Sequence, residues 1–152
     1  MKIANTCLIT LTLSCYILAC SSAKNAEPPK SVLIGDYQYT SYDKQGAKVV
    51  EGRLSITSFE TKRIRSEVVT QLKGNWQLNK VGNQEHIGAQ VGSGELDGSI
   101  DKGEIWIDLN PNISDGNVFL TGTIEGRRFH GRWSLKGYAG TINEGTFEAN
   151  RK

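Results

Sequence analysis

The chain has 152 residues, 17 of them glycine, and its charges nearly cancel, with 18 Lys+Arg against 16 Asp+Glu. That length supports one domain rather than two. A 38% hydrophobic content is enough for a core and excludes disorder throughout, and the near-neutral balance argues against nucleic acid as the main partner, because phosphate binding needs a clustered excess of Lys and Arg.

Lys2 precedes an apolar run over residues 7–19, CLITLTLSCYILA. The run is shorter than the ~20 residues a membrane-crossing helix needs and has the length of the hydrophobic region of a secretory signal peptide. It ends Ile17-Leu18-Ala19-Cys20, followed by Ser21-Ser22. This resembles the bacterial lipobox, in which a small residue admits the peptidase and the cysteine thiolate accepts a diacylglycerol. The resemblance implies a signal peptide over residues 1–19, lipidation at Cys20, and, through Ser21, delivery to the outer membrane. The alternative is an ordinary signal peptide cut near Ala23, with Cys20 discarded. If Cys20 is acylated, Cys7 and Cys15 leave with the signal and no thiol remains for a disulfide, a metal or a nucleophile. Residues 21–31, SSAKNAEPPKS, are small, polar and proline-containing, which reads as a tether within residues 20–31. Fully extended it reaches roughly 35 Å, so the domain beyond it sits near the membrane and not on it.

From Val32 onward no helical periodicity persists, and alternation takes its place. In Glu104-Ile105-Trp106-Ile107-Asp108-Leu109 the apolar Ile105, Ile107 and Leu109 share one face. Hairpin signals recur at Asp43-Lys44-Gln45-Gly46, Val81-Gly82-Asn83, Asp101-Lys102-Gly103, Asp115-Gly116-Asn117, Glu125-Gly126 and Ala139-Gly140. Eight strands are predicted, over 32–42, 47–58, 63–78, 86–100, 103–109, 117–125, 127–136 and 141–150. A long antiparallel meander without a covering helix closes on itself, because closure removes unpaired edges. The expected fold of residues 32–152 is therefore an all-β, up-and-down barrel of about eight strands, with a two-sheet sandwich as runner-up.

Glycine is followed two residues later by an aromatic at Gly35-Asp36-Tyr37, Gly74-Asn75-Trp76, Gly131-Arg132-Trp133 and Gly145-Thr146-Phe147. Residues two apart in a strand share a face, so each pair sets a notch beside a ring where neighbouring strands can interlock. Tyr37, Trp76, Trp133 and Phe147 are the expected barrel interior, as core first and ligand contacts second. The G-x-W pattern resembles the calycin group of lipocalins, fatty-acid-binding proteins and avidins, which implies a barrel able to hold one small apolar ligand. GNWQL also resembles the first strand of small periplasmic protease-inhibitor barrels. Neither resemblance carries a ligand site over to named positions here.

Chemistry-bearing residues are few. His86 stands at an expected hairpin end. Arg128, His130 and Arg132 share one strand face opposite Phe129, Gly131 and Trp133, so they form either a solvated cationic face or an anion or partner site, unless nearby acids pair them. From Gly94 to Gly116 the chain is acidic: Glu95, Asp97, Asp101, Glu104, Asp108 and Asp115 stand against Lys102 alone. Asp97 to Gly103 fails as a calcium loop, because Lys102 stands where the loop needs glycine and no glutamate closes it. No nucleophile elbow or phosphate loop is present. Tyr37, Tyr39 and Tyr42 form either a recognition surface or, the commoner case, a cap at a barrel end with their hydroxyls in water.

The sequence thus points to a non-enzymatic, membrane-tethered envelope lipoprotein, with no cofactor and no metal, binding a small apolar ligand or an envelope protein. The alternatives are a periplasmic inhibitor of a lysozyme or protease, using an exposed loop such as Asn110 to Asn117, and an uncharacterised hydrolase relying on His130 or a carboxylate pair.

Overall fold

Alternating side chains and tight turns resolve into a closed antiparallel barrel. A computed structural model describes residues 33–64 and 67–152; the expected signal peptide, the tether and Cys20 lie outside the described residues. The strands are β1 (Gly35–Tyr42), β2 (Lys48–Ile64), β3 (Glu67–Lys80), β4 (Gly92–Asp101), β5 (Glu104–Asp108), β6 (Asn117–Glu125), β7 (Arg128–Gly137) and β8 (Gly140–Arg151). Each pairs with its sequence neighbours, and β8 returns to β1 to close the ring. No helix among the described residues is long and apolar enough to cross a membrane.

The period-two pattern fills the inside. Tyr37, Tyr39, Leu54, Ile56, Leu72, Trp76, Leu78, Leu96, Ile105, Ile107, Leu120, Phe129, Trp133, Leu135 and Phe147 are all buried in one cluster. Tyr37 stacks on Phe129 with ring centroids 4.4 Å apart, and Tyr39 on Phe147 at 5.9 Å. The tyrosines do not cap a wet barrel end, although Tyr37 holds the interior place expected of it as a glycine-paired ring. The inward positions of β1 carry Tyr37 and Tyr39 into the core rather than to a wet rim, and only Tyr42 faces outward, donating to Glu148 Oε1 at 3.0 Å. Tyr37 Oη donates to the Leu33 carbonyl at 2.7 Å, and Tyr39 Oη to Gln90 Oε1 at 3.3 Å.

The glycine–aromatic pairs interlock as their spacing suggests. Trp133 on β7 lies opposite Gly145 on β8, while Gly131 lies opposite Phe147. A Cβ on Gly145 would stand 2.7 Å from Trp133 Nε1. The bare glycine lets the indole cross β8 and donate to the Tyr42 carbonyl on β1 at 2.8 Å. The same device recurs four strands away. Trp76 on β3 lies opposite Gly94 on β4, where a Cβ would meet the indole at 2.9 Å, and its Nε1 crosses to the Leu109 carbonyl beyond β5. Each tryptophan thus ties three strands, and one of the two ties spans the β8–β1 closure.

Several expected boundaries move, and β1, predicted from residue 32, begins at Gly35. The strand predicted from residue 86 begins only at Gly92, because His86 (φ 55°) and Gly88 (φ 70°) adopt left-handed conformations that no strand accepts. The β3–β4 loop instead folds across the barrel mouth. Ile87 and Gln90 are buried there, Gln90 Nε2 donates to the Ile87 carbonyl at 2.7 Å, and Asn110 Nδ2 and Asn143 Nδ2 hold the Ala89 and His86 carbonyls. The β2–β3 hairpin, predicted to turn between residues 58 and 63, runs on to Ile64 and Glu67. The pairing of β2 with β3 shifts register between Ile56 and Ser58, a bulge that adds twist and extends the ribbon past the barrel wall. The Asp101–Glu104 turn is a two-residue hairpin with Lys102 (φ 49°) and Gly103 (φ 86°) both left-handed, the geometry that suits the strand twist.

Candidate functional site

The four aromatics expected inside are inside: Tyr37, Trp76, Trp133 and Phe147 are at most 4% exposed. They belong to one buried cluster that also takes in Leu33, just before β1, and Ile87 of the β3–β4 loop. Burial holds the phenols of Tyr39 and Tyr37 above the ordinary tyrosine range. Because the folded state favours their neutral form, this contribution to stability is complete below the usual pKa of 10.0 and is lost as pH rises above it. From neutral pH, urea unfolding midpoints should therefore hold level up to about pH 10 and fall beyond it, and Tyr39→Phe should flatten that fall; an unchanged alkaline slope in the variant would contradict the burial argument.

Arg128, His130 and Arg132 do share the outer face of β7, and register brings acids to them from β8 and β6. Arg128 Nη2 is 2.9 Å from Glu148 Oε2, and Arg132 Nη2 is 3.1 Å from Glu144 Oε1. His130 Nε2 is 3.4 Å from Thr123 Oγ1 and 3.8 Å from Glu125 Oε1. Glu144 also takes Lys44 at 3.2 Å, and that hydrogen bond together with the Arg132 charge holds its carboxyl below the usual range. The cationic row is balanced from within the barrel. His86 lies apart from it, in the mouth loop, with its carbonyl bonded to Asn143.

A different outer face carries the more unusual chemistry. On β5 the alternation that buries Ile105 and Ile107 turns Trp106 outward, where it remains 41% exposed. Its ring stacks on Phe119 of β6 at 5.6 Å, and Lys136 Nζ lies 5.5 Å from the Phe119 ring centroid. Acids bracket the indole. Ser99 pairs with Trp106, and on either side Asp97 lies opposite Asp108 and Asp101 opposite Glu104. Like charges directly opposed across strands destabilise a sheet by about 0.2–1 kcal/mol per pair. Relief is slight: Lys73 reaches Asp97 only at 3.8 Å and Lys102 reaches Asp101 only at 3.9 Å. Trp106 stands between two clefts. One, of about 940 Å³, runs over β2–β5 past Val69, Asp97, Asp108 and Pro111 and is also lined by Lys62 and Lys73. The other, of about 590 Å³, lies between Asp101 and Glu104 on one side and His130 and Arg132 on the other.

The β5–β6 loop beside this face is built to hold its shape. Asp108 Oδ1 accepts from the Asn110 amide at 2.8 Å and from Asn117 Nδ2 at 2.7 Å, while the Asn110 and Ile113 carbonyls also lie within reach of that Nδ2. Asn117 is buried, and Asp115 Oδ1 ties the loop to Tyr138 of the neighbouring hairpin at 3.0 Å. Ile113 is left exposed at the tip. Asn117→Ala should cost about 1–3 kcal/mol, since the half-buried Asp108 carboxylate and two carbonyls lose a donor held by a buried side chain. Amide exchange should speed up in residues 109–117 first, and uniform acceleration across the barrel would deny the loop its separate staple.

Trp106 was not among the residues singled out from the sequence. Its signal was an aromatic on the polar face of an alternating strand. Among the described residues no three His, Cys, Asp or Glu side chains form a group that could hold a metal ion. No protein-family model matches the chain, and neither a curated protein nor a solved structure matches it.

Proposed function

We propose that the mature chain is a non-enzymatic envelope protein, anchored through an acylated Cys20 and delivered to the outer membrane, that binds a basic protein partner on the face around Trp106. The observation that carries this reading is the exposed indole bracketed by two acid pairs, Asp97 opposite Asp108 and Asp101 opposite Glu104. A Lys or Arg of the partner laid over Trp106 gains a cation–π contact worth about 0.5–2 kcal/mol and relieves both acid pairs at once. A protein partner is favoured over a small apolar ligand because the barrel interior is occupied by its own stacked rings. Two clefts flank the outer indole.

The inhibitor reading is the form in which that partner is an envelope lysozyme or protease. The stapled loop from Asn110 to Asn117 favours it, because a loop already ordered loses little entropy on docking.

Immobilised protein should retain a basic protein from a bacterial envelope extract, with release as ionic strength rises. Trp106→Ala should weaken that retention about thirtyfold or more, as for an aromatic hot spot. Undiminished capture by Trp106→Ala, or a stoichiometric acyl ligand retained in native mass spectrometry of the purified domain, would overturn this assignment.

A further inference from the structure

Barrel closure still leaves stretches of strand without a partner on one side, and the β2–β3 ribbon carries one of them. β1 pairs with β2 only as far as Gly35 opposite Ile56, while β2 continues to Ile64 against β3. On the other side, β4 accompanies β3 down to Thr70. Among the described residues, the outer edge of β2 from Ser58 to Ile64 therefore has no strand beside it. It presents about 20 Å of backbone donors and acceptors at strand spacing. A ribbon of two strands is marginal in water, and an open edge is a template for pairing.

The side chains on this edge decide what can pair with it. Charged residues on an edge ordinarily repel a second strand, because an identical copy brought alongside in parallel meets like with like. Here the order Glu60-Thr61-Lys62 reverses that outcome for one arrangement only. In an antiparallel pairing centred on Thr61, Glu60 faces the second copy's lysine and Lys62 its glutamate. Phe59 then faces the second copy's Arg63, a ring against a guanidinium. Centring on residue 60 would oppose two glutamates, and centring on residue 62 two lysines. Glu60, Thr61, Lys62 and Arg63 are all exposed, and Lys62 Nζ already lies 3.0 Å from Glu60 Oε2 within one chain, so both groups stand on the same outward face.

We propose that two copies of this chain associate through the β2 edge, antiparallel and in register about Thr61, joining two hairpins into a four-stranded sheet. The contact is isologous, so it closes as a dimer and does not propagate into a fibre. It uses the backbone edge of β2, whereas the indole projects from β5, although Glu60 and Lys62 also line the larger cleft beside Trp106.

Full-length protein in detergent should show a concentration-dependent monomer–dimer equilibrium by analytical ultracentrifugation. Glu60→Lys should raise the dissociation constant at least about tenfold, because two symmetric attractive pairs become repulsive. Lys62→Glu should do the same, and the exchange Glu60→Lys with Lys62→Glu should restore dimerisation. Thr61→Cys should form an intermolecular disulfide on mild oxidation, since directly opposed Cβ atoms lie within bridging reach. Circular dichroism checks that each variant retains its fold. A protein that stays monomeric at all concentrations, as it would if its own N-terminal segment covered the edge, overturns the proposal. So does a dimer unmoved by either single charge reversal or not rescued by the exchange.

Discussion

Trp133→Ala is expected to destabilise the barrel by about 3–5 kcal/mol, the range for removing a large buried aromatic. The indole is fully buried at the β7–β8–β1 junction, and its Nε1 donates to the Tyr42 carbonyl. Alanine leaves a hole that β8 cannot close by sliding, because β8 is held in ladders on both sides. It also strips Tyr42 of a donor at the place where the ring of strands closes. For a domain of this size the loss lowers the melting temperature by about 10–20 °C. Thermal unfolding followed by circular dichroism gives the value. Gly145→Leu attacks the same junction from the other side. Its side chain must enter space already held by the indole and the Tyr42 backbone, at a cost of about 1–3 kcal/mol from overpacking. A Trp133→Ala protein that melts within a few degrees of the wild type would mean that the indole is not a structural tie.

Cys20→Ser should abolish incorporation of radiolabelled palmitate, with no intermediate level. A serine hydroxyl is not ionised at neutral pH and is a far weaker nucleophile than a thiolate, so the diacylglycerol has no acceptor. Acylation adds about 0.8 kcal/mol of membrane affinity for each buried CH₂, and several chains make an anchor that does not exchange. The variant should therefore fractionate with soluble protein while its barrel keeps the wild-type β spectrum. Label that persists in the variant would remove Cys20 as the modified residue, and with it the anchored form of the proposed function. It would leave the Trp106 face and the β2 edge untouched, since both are built from residues of the barrel itself.

Much of the barrel could be read from local pattern, because a period of two and a turn every few residues are properties of short windows. Strands β5, β6 and β7 fall within a residue or two of their expected spans, and Asp101-Lys102-Gly103 turns where its composition says it should. What escaped was set by contacts between distant residues. The segment around Ile87 looks apolar and strand-like, yet it serves as a stopper whose shape depends on Asn110 and Asn143. The β2–β3 hairpin overran its expected turn because a register shift opposite Lys73 redirects it. Arg128 and Arg132 were legible as a cationic row, but their partners Glu148 and Glu144 became visible only once β7 and β8 were set in register. Trp106 was hidden by the success of the pattern around it: Ile105 and Ile107 announced a buried face, and the ring between them drew no attention.

The reciprocal placement of indole and glycine has a consequence for how this sequence can diverge. Trp76 depends on the bare backbone at Gly94, and Trp133 on that at Gly145. Neither member of a couple is at liberty to drift by itself. In descendants of this chain, substitutions at 133 should arrive together with substitutions at 145, and those at 76 with those at 94, leaving two correlated columns against a background in which outward-facing sites change independently.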